Sequence, residues 1–172
     1  MRSIKQHIVI TVIVISSTLT GVAFSQKPTI APAPNGITLP TNYKDWRIIA
    51  TSHRTDNNTL RVILGNDIAI QAAKEGKTNP WPEGTTLAKL VWKDTQHEKW
   101  PTATIPGEFV HAEFMIKATE KYATTGGWGF ARWLGIDQQP YGKDADFVKE
   151  CFGCHTPVKT NDYIFTRPVS LP

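Results

Sequence analysis

Residues 151–155 read Cys-Phe-Gly-Cys-His, and this run holds the only two cysteines of the 172-residue chain. Positions three and four apart share one face of a helical turn, so Cys151, Cys154 and His155 can project to the same side. CxxCH is the attachment sequence of a c-type haem. Each thiol forms a thioether with a porphyrin vinyl group, and the adjacent imidazole reaches the iron as its proximal ligand. Three other readings compete. A thioredoxin-like CxxC follows a strand early in a βαβ unit, whereas this run stands close to the C-terminus. A structural zinc site takes four ligands, and the chain has no second cysteine pair to complete one. A plain short-loop disulfide is the third.

The N-terminus suits a protein matured outside the cytoplasm. Arg2 and Lys5 form a basic stretch, Ile8 to Leu19 is apolar and uncharged, and Ala23-Phe24-Ser25 is a small-x-small site before Gln26. Residues 1–25 are therefore expected to be a signal peptide cleaved after Ser25, with a retained N-terminal anchor as the alternative. The apolar stretch is short for a membrane span, so stable membrane insertion is not expected. The expected location is the periplasm, where attachment of a c-type haem also makes chemical sense. With no further cysteines there is no disulfide framework.

Cleavage leaves about 147 residues, the size of one domain. Loss of Arg2 and Lys5 lowers the formal charge from +4 to +2. Lys and Arg are scattered rather than clustered, which argues against nucleic acid or an anionic membrane as partner. Six tryptophans and seven phenylalanines supply apolar area for a core and a haem pocket.

Residues 26–40 form a Pro-rich leader; Lys27 to Pro40 carries four prolines and one glycine and reads as extended, without a core of its own. The domain is expected over 41–172. Tyr43 to Trp46 reads as a short helical turn. Arg47–Arg54 and Leu60–Leu64 read as strands joined by the polar turn Thr55-Asp56-Asn57-Asn58. Asn66 is a candidate N-cap for a helix through about Glu75, ended by Gly76. Pro80 to Gly84 reads as a turn, and Thr85–Lys93, Phe109–Ala118 and Trp128–Leu134 as strands. Pro140 to Gly142 breaks the chain, and Asp144–His155 has helical spacing. Tyr163-Ile164-Phe165 is a short apolar segment. The fold class expected is α+β: a mainly antiparallel sheet with flanking helices, the C-terminal helix carrying CxxCH.

This order separates cytochrome classes. A small electron-transfer cytochrome c places CxxCH near its N-terminus and a methionine ligand downstream, but no methionine follows residue 155 here. A four-helix cytochrome c-prime needs four long amphipathic helices, which the Pro-, Gly- and β-rich middle of the chain does not supply.

The mature chain resembles the cytochrome P-460 and cytochrome c-prime-beta superfamily. The segments that carry the resemblance are Leu39-Pro40-Thr41-Asn42-Tyr43-Lys44-Asp45-Trp46, Leu60-Arg61-Val62 before a helix, and Pro82-Glu83-Gly84-Thr85 leading to Lys89. Gly127-Trp128-Gly129-Phe130 follows, then CxxCH with Asn161-Asp162-Tyr163-Ile164-Phe165-Thr166 behind it. The resemblance implies a homodimer with one five-coordinate c-haem per subunit. In cytochrome P-460 a lysine nitrogen is also linked to a meso carbon of the porphyrin, and matching the turn and strand assigns that lysine to Lys89. Members with the link oxidise hydroxylamine to nitrogen oxides, passing electrons to a separate soluble acceptor. The c-prime-beta members lack the link and bind nitric oxide or carbon monoxide. A lysine at this position does not by itself separate the two groups.

Alternation along Thr85 to Trp92 puts Thr85, Leu87, Lys89 and Val91 on one strand face. Read alone, such a lysine is an exposed one with Leu90 and Trp92 facing inward; the resemblance instead places it at the haem edge, where bonding requires a neutral amine and burial favours one. His155 is the metal ligand. Met115, His53, His97 and His111 are the other potential iron donors of the mature chain, and packing or surface roles account better for each, so the distal iron position is expected to be open. Arg61 and Arg132 interrupt apolar strands and are candidates to stabilise bound nitrogen oxides or a haem propionate; the family pattern also has arginine at Arg61. Glu113 is a candidate proton acceptor, with surface placement as its alternative. Trp128, Phe130 and Arg132 share a face, the rings either shielding the haem or packing the core. Asp162 and Tyr163 are candidates to orient His155 through its second nitrogen, a task a backbone carbonyl performs as well. Three functions follow: a hydroxylamine-oxidising oxidoreductase, a non-catalytic gas-binding cytochrome, and a simple electron carrier, the last disfavoured by the missing sixth ligand.

Overall fold

A computed structural model describes residues 29–169. The signal peptide expected at 1–25 and its cleavage site lie outside the described residues. The fold is α+β, built on one antiparallel sheet of six strands in sequential order: β1 (Arg47–Arg54), β2 (Thr59–Gly65), β3 (Thr86–Gln96), β4 (Thr104–Lys117), β5 (Trp128–Leu134) and β6 (Gln139–Pro140). Helix α1 (Asp67–Lys74) connects β2 to β3, and α2 (Val148–His155) follows the sheet.

The helices begin where local chemistry dictates. Asn66 Oδ1 accepts from the Ala69 amide at 3.0 Å and from the Thr86 amide at 3.1 Å, so one side chain caps α1 and ties it to the start of β3. Past the other end, Gly76 takes a left-handed φ of 67° that a side chain would oppose. The helix expected from Asp144 starts there, with Asp144 Oδ1 accepting from the Asp146 amide at 3.0 Å, but its first turn is a tight 3-10 turn over Ala145–Phe147 before α2 proper.

Two expectations are corrected. Strand β4 starts five residues before Phe109, at Thr104, running through Pro106 and Gly107, residues that ordinarily interrupt strands. Two bulges in β4, opposite Val91/Trp92 and Trp92/Asp94 of β3, accommodate them, and Gly107 lies so close to Thr95 that a Cβ would fall 1.9 Å from Oγ1. The Pro-rich leader, in turn, is not extended throughout: it turns at residues 34–36 and packs onto the sheet. Ala33, Ile37 and Leu39 are buried with Tyr43, Leu64, Ala88, Phe114 and Trp133 in one core cluster. Trp133 Nε1 donates to the Ala31 carbonyl at 3.0 Å, and Asn35 Nδ2 to the Phe130 carbonyl at 2.8 Å. Gly36 has a φ of 82° and its amide donates to the Ala33 carbonyl at 2.8 Å, so a tight turn rather than a straight run lays the segment on the sheet.

The leader covers one face of the sheet. The other face carries Ile63, Leu87, Trp128 and Phe130, which cluster with Ala69, Ile70 and Ala72 of α1, with Trp81 and with Ile164 of the tail; Cys151 and Phe152 of α2 pack at its margin. Both faces are therefore buried. No helix among the described residues is long and apolar enough to cross a membrane.

Candidate functional site

Cys151, Cys154 and His155 lie at the C-terminal end of α2. Cys151 is half-buried, Cys154 exposed, and both thiols are free. Burial, opposed by the nearby Arg132, raises the Cys151 thiol above its ordinary value. His155 Nδ1 stands 2.6 Å from the Tyr163 carbonyl oxygen. A carbonyl only accepts, so Nδ1 carries the hydrogen and the Nε2 lone pair is left available. Burial lowers the proton affinity of this imidazole, partly offset by the Tyr163 carbonyl, while Lys89 pushes further downward. The ring is thus a neutral Nε2 donor. Phe130 and Phe165 flank it with ring centroids 5.4 Å and 5.2 Å away.

The sheet face on this side is charged at its centre. Lys89, Glu113 and Arg132 are direct partners across β3, β4 and β5, so their side chains rise from one face in a row. Lys89 Nζ and Glu113 Oε2 form an ion pair. Glu113 Oε1 is 2.7 Å from Arg132 Nε and 3.3 Å from His111 Nε2. Burial alone would raise the Glu113 carboxyl; Lys89, Arg132 and His111 outweigh it and hold the group down at about 2. His111 moves the other way: burial, with help from Arg132, Lys89 and Arg61 and against Glu113, lowers it to about 4. At neutral pH Glu113 is therefore a carboxylate and His111 a neutral imidazole. Arg132 is held from three sides, with Glu150 Oε1 3.6 Å from Nη1 and the Tyr141 ring 4.4 Å from Cζ.

Arg61 sits one pleat away, opposite Val91, which is itself opposite His111. Its Nε is buried without a hydrogen-bond partner among the described residues, and burial lowers its proton affinity. Cys154 lies within electrostatic range of this guanidinium, as Lys89 and Glu113 do of His155. The structure thus gathers α2, the Lys89 row and Arg61 on one side of the sheet. Glu113 is enclosed rather than on the surface, its side chain 18% exposed.

The remaining candidates go elsewhere. His53 pairs with Asp94 on the exposed end of β1 at 2.6 Å, and His97 Nδ1 accepts from the Lys99 amide at 3.1 Å in a loop. Met115 packs against the second core cluster. Trp128 and Phe130 are core residues, although Phe130 also touches His155. It is the Tyr163 main chain, not its hydroxyl, that bonds His155, and Asp162 instead pairs with Lys117. Sequence reading did not single out Glu150 or Lys117; alternation from Lys89 across the hairpin was the signal available for His111.

These residues fit a haem. Two free thiols and an imidazole with its Nδ1 hydrogen engaged supply the attachment and axial donors, and the unpartnered Arg61 Nε is a donor in want of an anion such as a propionate. The site is thus that of a haem protein built on an antiparallel sheet. A family model described as Cytochrome P460 matches residues 40–166, and the chain belongs to that family. Membership implies a haem-binding cytochrome. Among curated proteins none matches the chain.

Proposed function

We propose that the chain is an exported, homodimeric c-type cytochrome that oxidises hydroxylamine or a related small nitrogen compound and passes the electrons to a soluble acceptor in the periplasm. Cys151 and Cys154 would hold the haem covalently and His155 would supply the protein ligand to its iron, leaving the iron free to take a small ligand. Supporting this above all is the Lys89–Glu113–Arg132 row on the sheet face beside α2. Burying charge in that position is costly, and an electron carrier has no use for it.

When bound, the haem supplies an iron that holds a small nitrogen ligand and accepts its electrons. The chain's own residues manage protons and charge. Glu113 is ionised at neutral pH, and with Lys89, Arg132 and His111 on its two oxygens it sets the charge of the row beside the haem site. Arg132, itself fixed by Glu150 and Tyr141, keeps that carboxylate charged and aimed. Arg61 Nε donates to a propionate or to an oxygen of a bound nitrogen oxide. Lys89, ion-paired with Glu113, is the residue to which the family resemblance assigns the second link to the porphyrin.

The same pair supports a second reading. An ammonium held by a carboxylate is a poor nucleophile, so Lys89 left unlinked gives a non-catalytic cytochrome binding nitric oxide or carbon monoxide at the open position. The absorption spectrum of the reduced protein separates the two. A broad, strongly red-shifted Soret band, lost in Lys89→Leu, together with hydroxylamine turnover using an artificial oxidant, is the expected result. An ordinary ferrous c-haem spectrum without turnover overturns the oxidase reading and leaves gas binding; purified protein without attached haem overturns both.

A further inference from the structure

The tail that supplies the Tyr163 carbonyl is held in an unusual way. Asp162 and Tyr163 both adopt left-handed backbone conformations, with φ of 48° and 63°. Such a conformation is disfavoured for residues bearing a Cβ, and two in succession persist only where surrounding structure enforces them. What enforces them here is a buried ion pair. Lys117 Nζ, at the end of β4, donates to Asp162 Oδ1 at 2.7 Å, and the two residues are only 6% and 8% exposed. The second carboxylate oxygen accepts from the Trp81 amide at 2.8 Å, and Asn79 Nδ2 donates to the Thr160 carbonyl at 2.9 Å. The Lys117 ammonium also stands 4.9 Å from the Trp128 ring centre.

A buried ion pair is weak support for stability, because apolar residues of similar volume often serve as well. Its distinctive property is geometric: two oxygens of one carboxylate are pinned to two different strands or loops of the domain. The residue immediately after that carboxylate is the one whose carbonyl meets His155.

We infer that Lys117 and Asp162 are positioning residues for the axial ligand: their pair clamps the turn at 162–163 so that the Tyr163 carbonyl stays on His155 Nδ1, fixing the plane of the imidazole and the electron density it donates through Nε2. This rests on the haem reading above. A hydrogen bond at the outer nitrogen makes the imidazole a stronger donor, which strengthens the bond to iron and stabilises the oxidised metal. Releasing the clamp weakens both.

The test uses the haem-loaded protein. Asp162→Asn retains an acceptor for Trp81 but removes the charge; Lys117→Met with Asp162→Asn removes both charges at similar volume, and Lys117→Arg preserves the pair. The iron–histidine stretching band of the ferrous protein is expected to shift to lower frequency, and the reduction potential to shift upward, in the first two variants, with Lys117→Arg close to wild type. A band and potential unchanged in the folded charge-free double variant overturn the inference, whatever happens to its melting temperature. Deuterium exchange at His155 Nδ1 in the wild-type protein keeps the test open should a variant fail to fold: a protected proton is expected, and exchange at the rate of a free imidazole overturns the clamp. Haem content, measured first by mass spectrometry, separates the two levels, since protein lacking attached haem overturns the underlying reading and the inference together, whereas loaded protein with an insensitive band overturns the inference alone.

Discussion

Lys89 and Glu113 face each other directly across β3 and β4, and their side chains are ion-paired in the enclosed face of the sheet beside α2. The register makes them neighbours, and partial burial, with the side chains 30% and 18% exposed, weakens the screening of their attraction by water.

Glu113→Gln leaves the Lys89 ammonium and the Arg132 guanidinium together with no counter-charge. The expected loss of stability is about 2–3 kcal/mol, below the ~3–5 kcal/mol seen when a fully buried pair is broken, because the carboxylate retains some contact with solvent. Urea denaturation of the variant measures it, and an unchanged midpoint refutes the role given to the pair.

In the haem-free chain, acid should act through His111 first. Unfolded, its imidazole binds a proton near its ordinary value of 6.5; folded, only at about 4. The unfolded state therefore binds more protons across that interval, and stability falls as pH drops from 6.5 towards 4, by a few kcal/mol on the order of 1.4 per pH unit. Glu113 adds its own loss lower down, between its ordinary value of 4.5 and about 2, because its folded carboxyl resists the proton that the unfolded one accepts. Replacing His111 with Gln should flatten the upper part of this profile while leaving the lower part in place.

Removal of residues 26–40 should destabilise the domain by several kcal/mol, at roughly 1–3 kcal/mol for each large apolar side chain withdrawn from the core. Ile37 and Leu39 leave outright, and Phe114 and Trp133 lose their cover. A melting temperature equal to that of the longer chain would mean that the leader is dispensable.

Gly126 has a φ of 68°, and a Cβ there would fall 2.2 Å from the Tyr163 ring. Gly126→Ala must displace Tyr163 or strain the backbone, costing about 1–3 kcal/mol. Because Tyr163 also carries the His155 hydrogen bond, the same substitution should alter the visible spectrum, which a purely local strain would not.

Covalent attachment is checked by acid–acetone extraction. Haem should stay with the wild-type polypeptide, and Cys151→Ala or Cys154→Ala should leave one thioether at most, with the double substitution releasing the haem entirely. Extraction of haem from the wild-type chain would show that the thiols are not its anchors.

Short-range features were legible from the residues. The strands β1, β2 and β5, the Asn66 cap of α1 and the spacing of Cys151, Cys154 and His155 follow from alternation, capping and helical geometry, each set within a few neighbours. Where the reading stopped short, the reason was long-range. Pro106 and Gly107 broke a strand on paper, yet bulges within β4 itself absorb them while it stays paired to β3. Taken alone, Lys89 read as exposed, and only its pairing with Glu113 across β3 and β4 shows that it shares a half-buried face with the haem-site residues.

The amino-acid sequence by itself determined the donor set near the C-terminus, the α+β class and which residues of each strand share a side, since these depend on spacing along the chain. Only the tertiary structure decided that Lys89, Glu113 and Arg132 form one row, that a Tyr163 carbonyl rather than a side chain holds His155, and that Lys117 meets Asp162. Those contacts join residues from 8 to 45 positions apart, across register and burial that no local pattern encodes.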